Sequence, residues 1–311
     1  MTCRSLKLRY RTETINTFVN KRCSNYIDNQ KGMINSILER SRHTIVLDRV
    51  LITDSVTQVQ TLVTDPDALA TYVNHHFQNV AGGSQGFKTL PTRWAYRYLP
   101  IDRIQSSWYD DILQPPTQEE WSDILRTLPL GKAAGTSGIS NEMLCQIGSH
   151  ISSALWQLVS LCCIHNDIPT GWKHATVYPI LKPTDWECKL NCTSPITFLK
   201  TACKALIRLI NNRLSSIMVK HKILQGGNHA GLPGGSTLEP LRIINAIIED
   251  ARANKKELWI MFQDMSKAYD RVNPFMLNLV MARLKFPHPL RVFILNLFCN
   301  RKNRYHSTWP N

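Results

Sequence analysis

No run in this 311-residue sequence approaches the ~18 consecutive apolar residues of a membrane-spanning helix, so a helical membrane protein is not expected. The amino terminus, Met1-Thr2-Cys3-Arg4-Ser5-Leu6-Lys7-Leu8-Arg9, is basic but lacks the apolar core of a secretory signal, and none is expected. Internal repeats and low-complexity tracts are absent, which sets aside repeat architectures. The 9 cysteines are scattered and odd in number. Cys162 and Cys163 are adjacent in an apolar stretch, and Cys188 with Cys192 has no second pair or histidine nearby. That pattern excludes a disulfide framework and argues against structural zinc, leaving reduced thiols in a nuclear or cytoplasmic protein. Acidic residues are scarce: 23 Asp and Glu face 37 Lys and Arg, a net charge of +14.

The basic surplus suits phosphate backbones or anionic surfaces. It is concentrated in residues 200–311, in Lys200, Lys204, Arg208, Arg213, Lys220, Lys222, Lys255, Lys256, Arg301, Lys302 and Arg304. A solvated helix face is the plain alternative. An apolar share of 43% suffices to fill cores, and the length allows about two domains.

The organisation changes near Pro115-Pro116. Before it, a basic, Ser/Thr/Asn-rich stretch contains one helix from Pro66-Asp67-Ala68 to Phe77 and a glycine-rich loop at Ala81-Gly82-Gly83-Ser84-Gln85-Gly86. After it, Thr117-Gln118-Glu119-Glu120 reads as a capping box that opens a helix with Trp121, Ile124, Leu125 and Leu128 on one face. Ile151 to Ile164 is apolar almost all round, which predicts a buried helix. Ala175 to Lys182 alternates as a strand does, with Pro179 tolerated only at an edge or bulge. Phe198 to Val219 and Thr237 to Ala253 read as long amphipathic helices, the second capped by Ser236 with Glu239 three residues on.

Chemistry points first to Asp264. The apolar run Leu258-Trp259-Ile260-Met261-Phe262 predicts a strand that ends in this carboxylate, with Lys267-Ala268-Tyr269-Asp270 close behind. In phosphoryl transfer two divalent ions roughly 3.5–4 Å apart clamp the attacking and leaving oxygens, so their carboxylates belong on rigid backbone at a strand end. Asp270 is the lesser candidate, because Arg271-Val272-Asn273-Pro274 opens a helix whose amino end favours a carboxylate without any metal. Taken alone, a single Asp after an apolar run is usually a turn residue that closes a strand, and only its company elsewhere in the chain raises the metal role.

Four blocks place Asp264 in company. They are Leu130-Gly131-Lys132-Ala133-Ala134-Gly135-Thr136-Ser137-Gly138-Ile139; Trp172 through Pro179-Ile180-Leu181-Lys182-Pro183 to Ser194-Pro195-Ile196, then Lys204 and Arg213-Leu214; Gln225 with Ala230-Gly231-Leu232-Pro233-Gly234-Gly235-Ser236-Thr237; and the Asp264 block. In this order, from about Leu128 onward, the chain resembles the reverse transcriptases of non-LTR (LINE-type) retrotransposons. The resemblance implies an α+β, helix-rich fold: the fingers and an incomplete palm of a right-hand polymerase, behind a mostly helical amino-terminal extension. It divides the chain into a basic extension or linker over 1–115 and a partial reverse transcriptase domain over 116–311, with fingers at 116–255 and the start of the palm at 256–311.

The same resemblance gives Asp264 the role of catalytic carboxylate and Mg²⁺ ligand, Lys182 a contact with the incoming triphosphate, and Tyr269 that of the aromatic gate against a ribose 2′-hydroxyl. Read from the residues alone, Tyr269 is as readily an aromatic that packs under the next helix, and a surface lysine in a turn is the plain alternative for Lys182. RNA template, DNA primer and deoxynucleotides are the implied partners.

The departures are specific. Ser194 stands where the family carries an arginine that reaches the triphosphate, and a hydroxyl cannot supply that charge-assisted contact. Ala134, Thr136 and Ser137 replace two prolines and an aspartate, and Gly235 occupies a position where arginine is common. The family's paired aspartates, which complete the metal site, do not occur; Asp110-Asp111 lies upstream, in the wrong order. Two readings therefore stand. One is a fragment of an RNA-directed DNA polymerase, inactive alone. The other is a non-catalytic, basic nucleic-acid-binding remnant of a degenerate element.

Overall fold

The computed structural model describes residues 47–305 except 54–57, 83–88, 183–185, 225–228, 230, 232, 266–267, 270–271 and 300, together with Tyr10, residues 12–20, Cys23, Ser24 and Ile34. The chain divides into two compact units, 1–46 (with the terminal Asn311) and 47–310. In the first, residues 12–20 are helical. Thr14 Oγ1 donates to Tyr10 O and Thr17 Oγ1 to Glu13 O, both at 2.8 Å, as hydroxyls do when they bond back along a helix.

The second unit opens with a hairpin that the sequence reading did not anticipate. Strands β1 (Val50–Thr53) and β2 (Gln60–Val63) pair antiparallel, Val50 opposite Val63. Helix α1 (Pro66–Gly82) follows and runs past the expected end at Phe77. Asp65 caps it, accepting from Ala68 N at 2.8 Å, and Pro66 fits the first turn because its missing N–H is one that a helix start leaves unpaired anyway. Leu47 and Val50 bury with Leu69, Val73 and Phe77, and with Leu190 from far along the chain. The extension is thus part strand.

Helix α2 (Gln118–Arg126) begins where the capping box put it: the Thr117 side chain accepts from Glu120 N at 3.1 Å, and Trp121, Ile124 and Leu125 are buried. Short α3 (Asn141–Cys145) leads to α4 (Ser149–His165), and α5 (Thr201–Lys220) crosses the centre of the unit. Cys203, Leu206, Leu209 and Ile210 recur at helical spacing along α5 and are buried. They share one core with Trp121, Val159, Cys162 and Phe293. Ile104, Tyr109 and Ile112 belong to that core, which therefore runs across Pro115. Burial pushes the Cys162 thiol up to about 12, far from thiolate chemistry.

Several expectations are corrected. Helix α4 buries only Val159, Cys162 and Cys163, while Ile151, Leu158, Leu161 and Ile164 lie exposed; an all-apolar helix needs cover on every side, and α4 has it on one. Helix α5 starts at Thr201 because Phe198 is still paired in a strand, opposite Thr176. Helix α6 (Leu238–Ala253) takes Thr237 as its N-cap, and its Ser236 hydroxyl meets Leu238 N at 3.1 Å while Glu239 turns to His229, so the reciprocal cap does not form. Helices α7 (Pro274–Arg283) and α8 (His288–Phe298) close the unit. Asn273 caps α7, accepting from Phe275 N at 2.8 Å.

The largest correction concerns Leu258 to Met265. This run carries no strand, and Trp259, Met261 and Phe262 are 90%, 88% and 80% exposed. An apolar strand is stable only with ladder partners beside it and cover on its faces. Among the described residues this run has neither.

Candidate nucleotide-binding face

Three strands form the sheet on which the second block sits, in the order β4 (Thr193–Phe198), β3 (His174–Leu181), β5 (Lys302–Tyr305), with β3–β4 antiparallel and β3–β5 parallel. Lys182 N donates to Cys192 O at 2.8 Å, which marks a hydrogen-bonded pair. Because such pairs alternate along an antiparallel ladder, Pro179 opposite Pro195 falls at a pair that exchanges no N–H bond. The parallel pairing with β5 reaches Val177 opposite Tyr305, and among the described residues none takes up the missing Pro179 N–H on that side.

The register also sorts the side chains. Ile180 lies opposite Ser194 and Tyr178 opposite Ile196, and alternation puts Tyr178, Ile180 and Lys182 on the same face as Ser194, Ile196 and Phe198. Tyr178 and Phe198 meet edge to face with centroids 5.2 Å apart. Lys182 and Ser194, the lysine and the arginine replacement singled out in the sequence, are thus diagonal neighbours on one surface. The Lys182 ammonium donates to Asn191 O at 2.9 Å, across the turn.

The first block folds against the end of this surface. Ile139 O accepts a hydrogen bond from the Thr201 hydroxyl, buried at the start of α5. Gly135 approaches the chain so closely that a Cβ would stand 2.1 Å from Leu199 O. The loop is fixed from its other side as well: Asn141 Nδ2 donates to Pro129 O at 2.7 Å and Gly131 N donates to Glu142 Oε1 at 2.5 Å. That amide bond holds the Glu142 carboxyl below its ordinary value.

Lys204, which belongs to the second block, is the residue to which the sequence reading gave no role. Its ammonium reaches Ala133 O at 3.4 Å and stands 5.8 Å from the centre of the Phe198 ring, so it joins the first block to the second. Partial burial lowers its pKa. The signal was present: a lysine in the first turn of an amphipathic helix, shortly after an aromatic strand end. Arg213 proves structural instead. Its guanidinium pairs with Glu120 at 2.8 and 2.5 Å and donates to the carbonyls of Asp111, Ile112 and Gln114.

The remaining site residues stand apart. Asp264 is exposed in the loop after α6, Tyr269 is 95% exposed, and among the described residues no hydrogen bond or ion pair joins either to Lys182. Asp270 lies outside the described residues. No three His, Cys, Asp or Glu among the described residues converge on a point that could hold a metal. They do not make a Mg²⁺ centre, and Asp264 supplies one carboxylate toward one at most. No described helix is long and apolar enough to cross a membrane.

No established protein-family profile matches the chain. Individual relatives do. It is 30% identical over 166 residues to a protein described as a probable RNA-directed DNA polymerase from transposon BS of Drosophila melanogaster, covering 51% of this chain and 18% of that protein. It is 26% identical over 172 residues to a retrovirus-related Pol polyprotein from the type-1 retrotransposable element R2 of Nasonia vitripennis, covering 55% and 16%. It is 23% identical over 159 residues to a 149 kDa protein of transposon TX1 of Xenopus laevis, covering 51% and 12%. The chain thus spans less than a fifth of the length of these relatives. Over about half of its residues it is homologous to proteins of retrotransposable elements, one of them described as a probable RNA-directed DNA polymerase.

Proposed function

We propose that this chain is the fingers and the beginning of the palm of a retrotransposon reverse transcriptase, whose intact parent transfers deoxynucleotides to a DNA primer on an RNA template. The observation that carries the reading is the meeting of the first two blocks. Residues separated by more than half a hundred positions, Gly135 with Leu199 and Ile139 with Thr201, close the first block onto the Phe198 end of the β3–β4 hairpin that carries Lys182 and Ser194. In this reading Lys182 contacts the triphosphate, Tyr269 gates the sugar, and Asp264 is one carboxylate of a centre that other segments complete. Residues 116–255 form the fingers and 256–311 the first part of the palm. Mg²⁺ belongs to the completed enzyme.

The exposed Asp264 loop favours a second reading for the chain by itself, a basic nucleic-acid-binding remnant. One experiment separates the two. The chain alone, given primed RNA, deoxynucleotides and Mg²⁺, extends nothing. Joined to the downstream palm and thumb of a related intact element, it extends the primer, and Asp264→Ala abolishes the extension. A joined chain that folds and stays silent leaves only the remnant.

A further inference from the structure

The segment between the two halves of the second unit's amino-terminal region, Thr92-Arg93-Trp94-Ala95-Tyr96-Arg97-Tyr98, was not among the motifs above. It winds as a short helix over Thr92–Ala95 and continues as a tighter turn over Tyr96–Tyr98. At about 100° per residue and then about 120°, this winding gathers Tyr96, Arg93, Arg97 and Trp94 within roughly 150° of arc and leaves Tyr98 on the other side. The exposures agree. Trp94 and Tyr96 are 48% and 59% exposed, Arg93 and Arg97 are exposed, and Tyr98 is half-buried.

Two arginines sit on the two exposed rings: Arg93 is 6.0 Å from the Trp94 centroid, and Arg97 is 5.0 Å from that of Tyr96, with Nε donating to the Tyr96 hydroxyl at 2.8 Å. No acidic residue occurs between Thr89 and Ile101. The backbone beneath is held rigidly. Arg283, at the end of α7, donates to Leu99 O at 3.0 Å and to Arg97 O, and Ile101 N donates to Arg283 O at 3.0 Å. The segment is therefore an exposed aromatic and cationic surface on a fixed frame, anchored to the helix that follows the Asp264 loop.

We propose that this surface binds single-stranded nucleic acid, with bases stacked on Trp94 and Tyr96 and phosphates paired to Arg93 and Arg97. The choice of partner rests on the polymerase reading above; the surface itself rests on the four side chains. Stacking on aromatic rings is tolerant of sequence and needs unpaired bases, whereas the arginines need only a phosphate. A duplex offers the second and withholds the first. Tyr, Trp and Arg also occur at protein interfaces, but the segment's unbroken positive sign, with no acidic residue from Thr89 to Ile101, favours a polyanion.

The test is binding of the whole chain to a fluorescently labelled oligouridylate, read by anisotropy at several salt concentrations, beside a duplex of the same length. Wild type is expected to prefer the single strand. Trp94→Ala with Tyr96→Ala is expected to weaken that binding by about tenfold or more and leave the salt slope unchanged. Trp94→Phe with Tyr96→Phe restores it. Arg93→Ala with Arg97→Ala reduces the slope by about 1.4, at ~0.7 per phosphate contact on a single strand. All four residues are exposed, so unchanged melting temperatures are expected and are measured for each variant. Equal affinity for the duplex, single-strand binding that the aromatic pair does not alter, absence of binding by wild type, or self-association that vanishes in the aromatic variant would each overturn the proposal. Primer extension by the joined chain is scored separately, so a working polymerase with an indifferent aromatic pair refutes this surface alone.

Discussion

Gly135 and Leu199 lie so close that the hydrogen on the glycine is all the space allows: a Cβ there would stand 2.1 Å from the Leu199 carbonyl oxygen and 2.6 Å from its carbon. The obstacle is backbone at the junction of β4 and α5, which cannot swing aside as a flexible side chain does. This contact seals the first block onto the second.

Gly135→Ala is accordingly expected to destabilise the chain by about 1–3 kcal/mol, the scale of forced overpacking. Gly171→Ala is the control, since a Cβ there would meet only the Lys200 Nζ atom at an ordinary 3.6 Å. Urea unfolding midpoints compare the two, and equal midpoints would refute the contact.

Arg213 ties α5 to α2 through Glu120 and to the chain before α2 through three carbonyls. Arg213→Met leaves those acceptors and a carboxylate without their donor, at a cost of about 2–4 kcal/mol. Glu120→Gln keeps an acceptor for the guanidinium and costs less. If Glu120→Gln proves the more damaging in thermal melting, the carbonyl contacts are not what matters.

The Glu142 carboxyl is held below its ordinary value by the Gly131 amide. A carboxyl with a depressed folded pKa contributes its stability in full above the unfolded pKa, near 4.5, and loses it as the pH falls through the lower folded value. Glu142→Gln should therefore flatten the decline in stability with acid below about pH 4.5 while changing little of its shape at neutral pH. A decline of the same steepness in wild type and variant would remove Glu142 from the account.

Ser194 and Lys182 share a face of the β3–β4 hairpin, and only the lysine carries charge. In the joined, active chain, Ser194→Arg is expected to lower the nucleotide KM by about tenfold or more, the ~1.5–3 kcal/mol of a hydrogen bond to a charged group. Tyr269→Val in the same chain should admit ribonucleotides. Steady-state kinetics in which Ser194→Arg moves neither KM nor kcat would withdraw the assignment of that strand.

Much of this architecture is local in origin and was legible before any coordinates. Thr117 caps α2 because its hydroxyl needs only an amide three residues on, and Asn273-Pro274 starts α7 for a similar short-range reason. The two-residue period of β3 showed through its proline. Other features depend on neighbours that no window contains. Helix α4 was expected to be buried, yet only the face toward Trp121 and Phe293 found cover. Leu290 to Phe298 buries Leu290, Phe293 and Leu297 in the main core, beside residues far away in the sequence.

The order of four blocks, the carboxylate at Asp264, the serine at position 194 and the excess of lysine and arginine are properties of the sequence alone, since identity and spacing survive without any fold. The tertiary structure decided which charges are free to meet a ligand. It turned Arg213 inward onto carbonyls and carried Lys204 to Ala133. It also set Lys182 diagonally across from Ser194 and left the Leu258 to Met265 run without strand partners among the described residues. The reason is physical: a guanidinium or a strand takes its role from the acceptors and edges that reach it, and those arrive from distant parts of the chain.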